Sequence, residues 1–107
     1  MENKYSYGFS PIAVQDIDNV LYYISNELAN PSAARAMYNL IFDRIDFLIQ
    51  FPFGCSDCSI YGIDDTHFRH IKIENYVLVY KIDDATKKIW FLRFLYSGRN
   101  INPSFLR

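Results

Sequence analysis

Residues 67–83 read HFRHIKIENYVLVYKID. Bulky apolar side chains alternate along two runs, and the Glu74-Asn75 pair between them is short and polar enough to turn a hairpin. Neighbouring side chains in a strand point to opposite faces, so Arg69, Ile71 and Ile73 share one face while Phe68, His70 and Lys72 share the other. In the second run Tyr76, Leu78, Tyr80 and Ile82 face one way, and Val77, Val79 and Lys81 the other. One face of the hairpin is strongly apolar and must be covered. The other is mixed and basic, with His70 and Lys72 as surface features and Arg69 at the rim of the buried side.

What covers the apolar face is legible on either side of the hairpin. Residues 88–96 make a third strand run, joined to the second by Asp83-Asp84-Ala85-Thr86-Lys87. Upstream, Tyr5–Phe9 alternates like a short strand and stops at Ser10-Pro11, where Ser can cap a helix and Pro suits its first turn. Ala13, Ile17, Val20, Leu21, Ile24 and Leu28 then form one helical stripe, and Asn30-Pro31 ends that helix and starts another. The second carries Ala34, Met37, Ile41, Ile45 and Leu48 to a break at Phe51-Pro52, and residues 52–66, PFGCSDCSIYGIDDT, read as a loop. Helices gathered before a meander predict an α+β domain of order β-α-α-β-β-β. Its helical hairpin packs on one face of a mainly antiparallel four-stranded sheet and leaves the opposite face free.

At 107 residues, half of them apolar and 18% aromatic, the chain is expected to be one globular domain over 1–107, without repeats or low-complexity tracts. The start, MENKYSYGFS, has no apolar signal region, and no apolar run approaches the ~20 residues that span a bilayer, so a cytoplasmic protein with no membrane partner is expected. The net charge of −1 conceals an asymmetry: residues 1–66 hold three basic against nine acidic residues, and residues 67–107 hold eight against three. A C-terminal half that meets a polyanion or an acidic partner follows from that split.

The string FRHIKIENYVLVYKID with the following IWFLRFLYSGRN resembles the C-terminal half of the RelE/ParE superfamily of type II toxin–antitoxin toxins, also called plasmid stabilisation proteins. The upstream FSPIAVQDIDNVLYYISNELANPSAARAM resembles the helical hairpin of that superfamily, with its Asp in helix one, its Asn-Pro break and its Ala-rich second helix. The resemblance covers nearly the whole chain. It implies a growth-inhibiting toxin neutralised by a cognate antitoxin encoded beside it, as a homodimer or a toxin–antitoxin hetero-oligomer.

The superfamily divides over mechanism. RelE-like members cleave mRNA on the ribosome without metal, where cations stabilise a pentavalent phosphorane and a proton-transfer group works near neutral pH. On that resemblance His70, Lys72 and Arg99 are the basic set, with His70 or Tyr96 moving the proton. Val77, however, stands where those enzymes carry a second strand Arg, and Phe105 stands near the place of their C-terminal Tyr. ParE-like members bind DNA gyrase and need no catalytic set, and a nearly neutral chain lacking two nuclease side chains favours them. Arg69, Lys72, Arg93 and Arg99 are then the expected contacts to target or antitoxin. Whether the chain is an enzyme stays open at this level, and so does a non-toxic interaction module.

Cys55-Ser-Asp-Cys58 followed by His67 and His70 spells C-x2-C-x8-H-x2-H, a pattern that can bind zinc. Residues three apart in a strand point to opposite faces, so His67 and His70 could share an ion only if the strand starts after His67, and a redox CxxC should open a helix after a strand; two inert loop thiols with no metal and no cofactor are expected.

Overall fold

The computed structural model describes residues 4–98. Its elements are β1 (Ser6–Phe9), α1 (Pro11–Tyr22), a π-helical turn (Tyr23–Glu27), α2 (Pro31–Gln50), β2 (Ser56–Asp57), a 3-10 turn (Ser59–Tyr61), β3 (Phe68–Ile73), β4 (Tyr76–Asp83) and β5 (Lys88–Tyr96). The sheet order is β1-β5-β4-β3-β2, with β1 parallel to β5 and every other pair antiparallel. The α+β class and the helical hairpin on one face are as expected. The strand count is five rather than four, because Ser56 and Asp57, in the stretch read as loop, pair with His70 and Arg69 at the edge of β3.

Both helices begin where the local chemistry dictates. Ser10 Oγ accepts the Ala13 amide at 3.0 Å and Asn30 Oδ1 accepts the Ala33 amide at 3.1 Å, each cap being followed by a proline whose missing N–H costs nothing there. Ile17, Ile24, Met37, Ile41, Ile45 and Leu48 from the helices then pack on Ile73, Leu78, Tyr80, Ile82, Ile89, Phe91 and Phe94 of the sheet. Tyr80 is fully buried, and its hydroxyl donates to the Pro52 carbonyl at 3.1 Å, which satisfies the phenol and pins the chain leaving α2.

Leu28 departs from the expected stripe. Its amide bonds the Tyr23 carbonyl five residues back, and the wider π turn rotates the side chain outward, leaving it 55% exposed. The opposite face of the sheet is not free either. The 58–63 segment folds over it, and Cys58, Val77 and Val79 form a second buried cluster against Tyr61, Ile63 and Phe68.

β1 stops opposite Phe91, so the rest of β5 has a bare edge on that side. The start of α1 closes it. Ser10 N donates to the Phe91 carbonyl at 2.9 Å and Ser10 Oγ to the Leu92 carbonyl at 2.9 Å. Leu92 is the extra residue of a bulge, since Val79 faces Arg93 and Tyr80 faces Phe91. Further along α1, Asp16 accepts the Phe94 amide at 3.0 Å and both Nε and a terminal nitrogen of Arg93 at 2.7 and 3.1 Å. This carboxylate and its guanidinium partner are only 13% and 21% exposed, so solvent screens the pair little. Asp16→Ala strands the Arg93 charge and the Phe94 amide together; a loss of about 2–4 kcal/mol in urea unfolding is expected, with Asp16→Asn less damaging.

Candidate functional site

The second face is built by alternate residues of the four longer strands. Register places Lys72 beside Val77 and Leu95, His70 beside Val79 and Arg93, Phe68 beside Lys81 and Trp90, and Gly8 beside Trp90. A β-carbon at Gly8 would lie 2.8 Å from the Trp90 ring, so only glycine lets the indole lie across β1. Lysine ammonium groups rest on aromatic rings here: Lys88 is 4.0 Å from the Trp90 ring centre and Lys81 is 5.2 Å from that of Phe68. Among the described residues no carboxylate lies within ion-pair distance of Lys72, Lys81 or Lys88, although Asp83 on the same face is the register partner of Lys88.

The sequence-derived residues go to different places. Lys72 is exposed on the second face. His70 lies on the same face but is half-buried, with Nδ1 3.9 Å from Cys58 Sγ and the Tyr61 ring edge-on at 5.1 Å. Burial lowers its pKa below the ordinary value of 6.5, which leaves the imidazole neutral near pH 7. Tyr96 pairs with Tyr76, whose ring packs into the helix-side core, and so stands on the other face of the sheet from His70 and Lys72. Arg99 lies outside the described residues, as does Phe105.

The two strand arginines are held internally. Arg69 donates from Nε to the Cys55 carbonyl at 2.9 Å and from a terminal nitrogen to the Thr66 carbonyl at 2.8 Å, with Phe53 stacked 5.1 Å from its guanidinium carbon. It ties both ends of the 55–66 loop to β3. Arg93 is bound to Asp16.

The cysteine–histidine pattern is dispersed. Cys55 packs against the helix-side core and Cys58 belongs to the second-face cluster, so the thiols lie on opposite sides of β2. His67 precedes β3 and bonds Asp65 and Asp84, remote from His70 and its neighbour Cys58. Burial raises both thiols, and Cys58 is pushed up to about 11. Roughly one Cys58 in a thousand is then ionised at pH 8. In a native thiol-labelling time course Cys55 should react first and Cys58 at least about tenfold more slowly, with the difference vanishing in urea.

Beyond the second face, an apolar groove opens at the far end of the helical hairpin. Tyr23, Leu28, Ala33, Met37, Leu40 and Tyr76 line about 370 Å³ between the π turn, α2 and the Glu74-Asn75 turn. Sequence reasoning missed it because it depends on the π turn that expels Leu28.

The chain matches the family model described as the ParE toxin of the type II toxin–antitoxin system parDE over residues 7–101. Similar solved structures include a chain of the chromosomal ParDE system from P. aeruginosa, with a TM-score of 0.69 at 17% identity, covering 89% of this chain and 98% of that one. A second is a chain of the toxin–antitoxin complex RelBE2 from Mycobacterium tuberculosis, with a TM-score of 0.57 at 18% identity, covering 87% and 98%. No curated protein sequence matches.

Proposed function

Because the chain belongs to the ParE toxin family of type II toxin–antitoxin systems, we propose that it inhibits growth by binding a protein target, DNA gyrase, and is neutralised by a cognate antitoxin. The observation that carries the binding reading is the scatter of the nuclease candidates. Lys72 is exposed on one face beside a half-buried, neutral His70, while Tyr96 stands on the other face. A phosphoryl-transfer site needs its cations and proton donor converging within hydrogen-bond reach of one phosphate. Target binding needs only a complementary surface, and the lysine face around Lys72, Lys81 and Lys88 supplies one. Lys72, with Arg99 as the sequence suggests, is the direct contact in this reading. Arg69 and Arg93 act by holding the loop and the sheet edge in shape.

The antitoxin docks by an apolar segment in the groove at Leu28 and Tyr76. Exposed Leu28 and Tyr23, at 55% and 49%, offer anchors that reward the ordering of a flexible partner.

Two assays on one preparation test the target. Supercoiling by gyrase is expected to fall with added protein while ribosome-bound message stays intact. Ribosome-dependent cuts in the message, with supercoiling untouched, would reverse the assignment to the RelE-like alternative. For the antitoxin, co-purification with the product of a small adjacent gene should survive Lys72→Ala. It should weaken roughly 30-fold or more with Leu28→Asp, because a buried carboxylate costs at least about 2 kcal/mol.

A further inference from the structure

The geometry points to a proton-controlled clasp at His67, in which the charged imidazolium bonds the loop before β3 and the β4–β5 turn at once and loss of one proton opens one of the two contacts. The two ring nitrogens each face a different carboxylate. Nδ1 is 3.2 Å from Asp65 Oδ1, and Nε2 is 3.0 Å from Asp84 Oδ2. A carboxylate only accepts, so both contacts are hydrogen bonds only when both nitrogens carry protons. The neutral ring has one N–H, and its other nitrogen would present a lone pair to an anion. One of the two contacts must then open.

The surroundings favour this arrangement, and the Ile82 amide donates to the His67 carbonyl at 2.9 Å, which keeps the backbone on β4 in either charge state of the ring. Asp65 is oriented by the His67 amide, which donates to the same Oδ1 at 2.9 Å. Asp84 also accepts the Tyr5 hydroxyl at 2.9 Å on its other oxygen, so the chain leading into β1 joins the same cluster. Asp83 is occupied with the Ala85 and Thr86 amides of its own turn. Lys81 shares the cleft, and Lys87 stacks on the Tyr5 ring 5.4 Å from its centre; both partly offset the aspartates. Phe53 meets the imidazole edge-on at 5.8 Å and adds no charge. A cleft of about 530 Å³ is lined by His67, Lys81, Trp90 and the three aspartates.

The bonds to Asp84 and then Asp65 raise the imidazole pKa above its ordinary 6.5. The clasp therefore contributes fully below pH 6.5 and is lost as pH rises through the folded value.

Imidazole NMR titration of the full chain at low salt, with His70 as internal reference, tests the clasp. The His67 pKa should lie above 6.5, and Asp84→Asn should lower it while leaving the His70 titration in place. Urea unfolding of the native chain and of His67→Gln should differ more at pH 5.5 than at pH 8.5, a comparison in which His70 cancels. A His67 pKa at or below 6.5, insensitivity to Asp84→Asn, or a stability gap independent of pH would each overturn the proposal.

Discussion

The carboxylate of Asp16 decides how the helical hairpin meets the sheet. β5 has nine residues and β1 only four, so a parallel partner covers less than half of the edge. An open edge is both a loss of hydrogen bonds and an invitation to pair with another chain. Ser10 and Asp16 substitute side-chain oxygens for the missing strand, and the Arg93 guanidinium neutralises the charge that this brings inside. The direction of α1 follows, because its first two turns must run along β5. Once α1 is so placed, Ile17 and Ile24 can reach Phe91 and Phe94, and α2 closes over the remainder of the core.

A sheet held in this way on one side could leave its other side bare, and this one does so only in part. Cys58, Tyr61 and Ile63 bury Val77 and Val79, and they hold His70 in an environment that removes its charge. The loop carrying them is fastened by Arg69 through two carbonyls. An arginine that the sequence places at the rim of the buried side thereby maintains the cover over a histidine that reads as a catalytic candidate. What stays outside is lysine and tryptophan, chemistry suited to contact more than to bond cleavage.

The amino-acid pattern alone determined the class of fold. Alternation across 67–83 defines a hairpin with one face to bury, the cap-and-proline pairs Ser10-Pro11 and Asn30-Pro31 mark the helix starts, and the spacing from Ala13 to Ile24 supplies the stripe that meets the sheet. Each of these is local: a period, a cap or a turn involves residues within a few positions of each other, so it survives without knowledge of the rest of the chain.

Only the tertiary structure decided the site. Asp16 and Arg93 are 77 residues apart, and nothing in either neighbourhood announces the pair. Periodicity carried Leu28 onto the buried stripe, but the wider π turn, whose bond spans five residues in place of four, moved it into a groove. Cys55 and Cys58 spell a ligand motif, and Ser56 and Asp57 between them pair with β3, which sends the two thiols to opposite sides of the edge. Asp65 and Asp84 read as turn residues and His67 as the start of a strand until the β4–β5 turn brings Asp84 against the imidazole. Local order fixes which residues share a face; which faces meet, and which charges are thereby neutralised, depends on long-range packing that no short window of sequence contains.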